Sequence, residues 1–229
     1  MRKLGTIAIP LVGSTALLIG LAGSALASGT ITSGGSPYTG DVLATNLGNV
    51  TLSGLSSLGS IINTCTGASL GAYTKSDGTG GQLNSVSLTG CTNNRGGTTT
   101  VTALNLPYTG GHVDYDSTHA SNRDGTITIN APNPSVDVKA VLTLPAWGIS
   151  SMECHYGLTT STPLTINVYN PANANKPVPS NSHGQGKLAG QALQFLSGDS
   201  RCPASASASA NGNFQILTSP GGADLTLGP

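Results

Sequence analysis

Charge is what this chain has least of. Asp, Glu, Lys and Arg make up 8% of its 229 residues, against about 25% in an ordinary soluble domain. Glu occurs once, as Glu153. The strong helix formers Glu, Lys, Gln and Arg are thereby scarce, and no stretch repeats apolar residues at a helical period. Aromatics are also few, at 4%, with two Phe and one Trp. In their place stand 32 Gly and many Ser, Thr and Asn, a composition of strands and turns. An apolar share of 37% at zero net charge separates the chain from disordered sequences, which are poor in apolar residues and highly charged.

The N-terminus carries a different signal. Met1-Arg2-Lys3 is followed by an apolar run from Leu4 to Leu26 and a small-residue exit, Ala25-Leu26-Ala27. A basic start, an apolar middle and small residues at the end read as a secretory signal peptide over residues 1–27. The run contains Pro10 and four glycines, which favours cleavage over a permanent transmembrane anchor. Losing Arg2 and Lys3 leaves seven basic residues against nine acidic ones. That balance argues against a nucleic-acid partner and against attraction to an anionic membrane. The expected location is secreted, extracellular or on the cell surface, with the cell envelope as a possible partner.

Four cysteines, Cys65, Cys91, Cys154 and Cys202, read as two disulfides in an exported chain. Zinc sites need close ligand pairs and redox centres need C-x-x-C; neither spacing occurs. The midpoint of Cys65 and Cys91 falls in Asp77-Gly78-Thr79-Gly80-Gly81, a strong turn sequence. The midpoint of Cys154 and Cys202 falls in Lys176-Pro177-Val178-Pro179, between strand-like Leu164–Tyr169 and Ala192–Leu196. Two hairpins closed at their bases predict the pairs Cys65–Cys91 and Cys154–Cys202.

The clearest strand is Val136–Leu144, apolar at even positions and mostly polar at odd ones. Similar alternation marks Thr126–Ile129, Leu164–Val168 and Asn213–Ile216, and further strands are expected at Val42–Thr45, Asn49–Ser53 and Thr98–Leu104. Gly, Pro and Asn clusters separate them. The expected fold is all-β, a single antiparallel β-sandwich or barrel-like domain over residues 28–218. Ala204–Ala210 is a low-complexity stretch leading into the last strand, and residues 219–229 are expected as a loosely ordered tail.

Taken together, Tyr38–Gly54, Cys65, Ser85–Cys91, Leu106-Pro107, Leu144-Pro145-Ala146-Trp147, Cys154 and Leu196–Cys202 resemble a set of small secreted actinobacterial proteins without assigned function. That set is itself similar to secreted alkane-oxidation activators. The resemblance spans nearly all of the chain after residue 27. It implies a secreted β-domain with two local disulfides and carries no catalytic residues over.

Candidate sites are sparse. Leu106-Pro107-Tyr108-Thr109-Gly110 spells a wall-sorting pentapeptide, but lacks the following apolar stretch and basic tail, and short motifs need their context. On an extended strand His112, Asp114 and Asp116 share one face, a candidate metal set beside the reading as a solvated face. Hydrolase chemistry needs a nucleophile, a base and an orienting acid; no G-x-S-x-G occurs, and the histidines are His112, His119, His155 and His183. Trp147, with Tyr73, Tyr108, Tyr115 and Tyr156, is the candidate ligand platform, against core packing. Nothing in the sequence calls for a cofactor. The expected role is non-enzymatic, structural or adhesive. The alternatives are a carbohydrate- or apolar-ligand-binding module and a secreted hydrolase.

Overall fold

The structure, a computed structural model, describes residues 27–160, 162–204 and 209–229. All but the last residue of the expected signal peptide, and the middle of the Ala204–Ala210 stretch, lie outside them. In chain order the strands are β1 (Ala27–Ser28), β2 (Thr30–Ser33), β3 (Ser36–Pro37), β4 (Gly40–Asn46), β5 (Val50–Ser56) and β6 (Gly59–Thr74). They continue as β7 (Gly81–Asn93), β8 (Thr99–Leu104), β9 (Tyr108–Tyr115), β10 (Gly125–Ile129), β11 (Asn133–Leu144) and β12 (Ile149–Leu158). The last are β13 (Leu164–Tyr169), β14 (Gln185–Gln191), β15 (Gln194–Gly198), β16 (Ser209–Ser219) and β17 (Thr226–Gly228). Single 3-10 turns occur at Ala120–Asn122 and Pro145–Trp147, and the described residues contain no α-helix.

The pairings close on themselves. β4 pairs β6, β6 pairs β7, β7 pairs β9, and the sheet runs on through β10, β13, β14 and β16 back to β4, every pair antiparallel. The result is an eight-stranded barrel with no free edge of its own, which removes the aggregation hazard of open sheet edges. Its outward positions include Asp41, Asp114, Thr128, Thr165 and Lys187. A lipid-facing wall instead needs a continuous apolar band.

Several barrel strands run on past the barrel. β5 continues the line of β4 beyond a break at Gly48, whose φ of 84° is left-handed, and pairs with both β6 and β16. On this extension lies a second sheet, ordered β15-β12-β11-β8. Ile61 of β6 packs there against Leu142, Leu144, Ile149 and Met152. The alternation read at Val136–Leu144 is the cause: Val136, Leu142 and Leu144 are buried, while Asp137 and Lys139 face out. The fold is thus all-β, a barrel joined to a sandwich by shared long strands.

Both disulfides form as expected, Cys65–Cys91 and Cys154–Cys202. The first follows the hairpin account, since Cys65 and Cys91 are register partners on β6 and β7. The second does not. Leu164–Tyr169 pairs with β14, inside the barrel, whereas β15 pairs with β12. Cys202 meets Cys154 because β15 returns along β12 after the β13–β14 excursion, so the bridge ties chain segments on either side of a barrel hairpin. Proximity in sequence to the Pro177 turn suggested the wrong strand partners, because β13 has a nearer apolar surface in the barrel.

The C-terminal residues are also not loose. β17 pairs with β2, and β2 with β3, in a small third sheet. Leu227 is 5% exposed, and Asn170 clamps its backbone from both sides, donating to its carbonyl and accepting from its N–H, each at 2.8 Å.

Candidate functional site

Alternation puts one side chain in two on the inside of the barrel. The inward series includes Val42 on β4, Ala72 on β6, Val113 on β9, Ile127 on β10, Ile166 on β13 and Ile216 on β16, and all six border one apolar cavity of about 270 Å³. A closed eight-stranded barrel is just wide enough inside for side chains to fill it or for one small ligand. Here the filling is incomplete. Ala44, Ala72, Gly81, Gly111 and Gly186 also face or border the space, and each supplies little or no side chain.

Burial shows the same thing in reverse. Ile127, Ile166, Val168 and Ile216 point into the barrel yet stay partly exposed. Thr126 and Thr128 point outward from the same strand as Ile127 and are 4% and 9% exposed. Inward aliphatic groups more open than outward threonines mean that the interior holds space rather than packed neighbours.

Both ends are shut by larger side chains. Next to the sandwich, Tyr108 and Phe214 are buried, and Leu164 and Leu188 pack beside them. Tyr108 donates its hydroxyl hydrogen to the Asp137 carbonyl at 2.8 Å; burial pushes this phenol above its ordinary range. At the far end Ile31 of β2 and Leu227 of β17 cover the opening. The cap is fastened by Ile31 N–H to the Ser76 carbonyl at 2.7 Å, by the Asn170 clamp, and by His183 facing Asp224 at 3.1 Å. Gln185, fully buried beside the cavity, has both ends of its amide engaged with the backbone of Val178. Neither the Tyr108 hydroxyl nor the Gln185 amide is left free for a ligand.

The wall is thinnest between β7 and β9. Only Gly81 opposite Gly111 and Leu83 opposite Tyr108 are in register there, with a bulge between them. A Cβ on Gly81 would sit 2.8 Å from the Gly111 carbonyl carbon, so only glycine lets the two backbones approach this closely. Tyr73, Gln82 and His112 also border the cavity, although by alternation they belong to the outer face around this glycine pair.

The residues singled out from the sequence are distributed otherwise. His112 and Asp114 do meet on β9, with Nε2 and Oδ2 3.0 Å apart. Asp116 lies past the end of the strand, 2% exposed, and binds Thr118 and Arg123 instead. The Thr118 hydroxyl and the Arg123 guanidinium hold its carboxyl down at about 2. Asp116 thus leaves the shared face because the strand ends at Tyr115. The described residues bring no three such groups together in a metal-binding cluster. Trp147 sits at the tip of the sandwich under Arg95, whose guanidinium lies 4.3 Å from the ring centroid, and does not border the cavity. Tyr156 packs edge-on to Phe195 and Tyr115 edge-on to His119, so no aromatic platform forms around Trp147. The Leu106–Gly110 pentapeptide runs into the start of β9, with Tyr108 buried at 3% exposure and Pro107, Thr109 and Gly110 exposed.

His155 is the histidine best placed for chemistry. Its Nδ1 lies 2.8 Å from Asp137 and its Nε2 3.3 Å from Glu153, and these carboxylates, Asp137 first, raise its pKa. Both ring nitrogens therefore face acids, where a hydrolase base needs one nitrogen on a nucleophile. The cluster stands on the outer face of a sheet.

The cavity-lining positions were missed as a site, although their strands were anticipated from alternation. An alternating strand shows which face is apolar, but not that eight such faces close around a space. No family model matches the chain, and neither a curated protein nor a solved structure matches it.

Proposed function

We propose that this protein is an exported binding protein that holds a small apolar molecule inside its eight-stranded barrel. One observation carries the reading: inward aliphatic side chains that stay open to a shared cavity while the outward threonines are covered. A void costs stability, so a purely structural or adhesive role gives no reason to keep one. The aliphatic lining favours hydrocarbon over carbohydrate, which would need convergent polar groups. At roughly 30 Å³ per water-sized group, about 270 Å³ has room for some nine groups. Export is supported by the signal-like N-terminus and by two disulfides, which persist in oxidising compartments. No helix among the described residues is long and apolar enough to cross a membrane.

The test is calorimetric titration of the mature protein with 1-octanol, paired with its melting temperature. A ligand that binds only the folded state raises the melting temperature with concentration. Saturable one-to-one binding with such a rise is expected. Titration without saturation, with an unchanged melting temperature, sinks the reading.

A further inference from the structure

The barrel interior and its rim make different chemical offers. At the cavity wall the Tyr108 hydroxyl is already matched by Asp137 and the Gln185 amide by Val178. A polar group on a ligand would find neither of them free and would lose its water, at a cost of roughly 1–3 kcal/mol. At the β7–β9 seam the situation reverses. Tyr73 and Gln82 are register partners on β6 and β7, both border the cavity, and among the described residues neither side chain has a hydrogen-bond partner. His112 lies across the glycine pair, already matched with Asp114.

We propose that the ligand is an amphiphile, its hydrocarbon chain in the barrel and a neutral hydrogen-bonding head group at the β7–β9 seam, held by the Gln82 amide and the Tyr73 hydroxyl. The proposal rests on the barrel being a ligand site and adds where the polar end goes. The seam suits a head group for two reasons. Its register is the shortest in the barrel. Its rim supplies one amide, able to donate and accept, and one hydroxyl. The head group is neutral rather than anionic because the two unpartnered rim groups carry no charge. Of the nearby basic groups, His112 is engaged by Asp114, and Lys75, whose stem lies over Gly80, does not border the cavity.

The experiment compares 1-octanol, octane and octanoate on the mature wild-type protein, on Gln82→Leu and on Tyr73→Phe. Both positions lie on the outer face, and an unchanged melting temperature without ligand confirms that each variant is folded. Octanol should bind roughly tenfold more tightly than octane, the weight of one hydrogen bond, and more tightly than octanoate. Each variant should lose most of that preference for octanol while keeping its affinity for octane. Equal binding of octanol and octane, preference for octanoate, or variants indistinguishable from wild type would overturn the placement of the head group while leaving the barrel as the site. Failure of all three probes to bind would instead overturn the reading of the barrel itself.

Discussion

Replacing Ala72 by leucine gives opposite signs in a hollow barrel and a packed one. Ala72 lies on β6, opposite Val42 of β4 and Leu83 of β7, and all three border the cavity. Leucine adds three carbons. At ~0.8 kcal/mol for each one buried, the gain is about 2.4 kcal/mol, reduced by about 0.5–1 for lost rotamer freedom. A net stabilisation of about 1.5 kcal/mol is expected. In a filled core the same insertion costs about 1–3 kcal/mol. Urea unfolding with an unchanged slope reads the sign directly. The added carbons also take up roughly a third of the space at ~30 Å³ each, so octanol affinity should fall by about tenfold or more. Destabilisation by about 1 kcal/mol or more would show that the interior is full. Stabilisation with octanol binding intact would place the ligand elsewhere.

Other perturbations probe the parts that hold the barrel. Replacing both cysteines of a pair by serine should cost about 3.5 kcal/mol for Cys65–Cys91 and about 4 for Cys154–Cys202, from loop closure alone; a chemical melt unchanged by either would contradict the pairing. Leu227→Ala should cost about 3 kcal/mol as a buried leucine truncation and should speed octanol release by opening the cap. A loss near zero would mean the C-terminal strand does not seal the end. His155 has a pKa raised above its ordinary 6.5 by Asp137 and Glu153. Its contribution is complete below that value and is lost as pH rises through the folded pKa. Because Glu153 is half exposed, the effect stays under about 1 kcal/mol. His155→Gln should abolish this fall in stability, measured as urea midpoints on either side of neutrality, and an identical fall in the variant would refute the assignment.

The amount of this molecule legible in its sequence differed by level. Strands were legible because period-2 alternation is local: Val136–Leu144 needs no knowledge of its partners to show a buried face. The Cys65–Cys91 bridge was legible because Asp77-Gly78 turns the chain back on itself. The Cys154–Cys202 ribbon was misjudged because the strand beside Pro177 pairs with β14, and partner choice among similar strands depends on tertiary packing rather than local pattern. The tail was misjudged for the same reason. Asp224-Leu225-Thr226-Leu227 alternates too briefly to announce a strand, and its partners, β2, Asn170, Leu217 and His183, are all distant in sequence or set by the fold. Asp116 leaves the face that His112 and Asp114 share because β9 ends at Tyr115, an end that alternation alone does not mark. The cavity itself left only an indirect trace, in what the chain lacks.

That trace is the shortage of large side chains. Filling a barrel of this size takes bulky residues at most inward positions, and this chain, with two Phe and one Trp, has few large aromatic groups to place there. Phe214 is spent closing one end, while Trp147 serves the far tip of the sandwich. The middle is left to Val, Ile, Leu, Ala and Gly. At ~24 cal/mol per Å³, a space of about 270 Å³ costs on the order of 6 kcal/mol, comparable to the whole stability of many domains. The two disulfides supply about 7.5 kcal/mol by loop closure, enough to offset it. Hollow interior and covalent bridges therefore belong together. Without the bridges the cavity would leave the fold at the edge of stability, and a fully packed barrel of this length would have less need of them. The reduced protein should accordingly regain stability on binding octanol, since filling the space restores contacts that the missing side chains do not make.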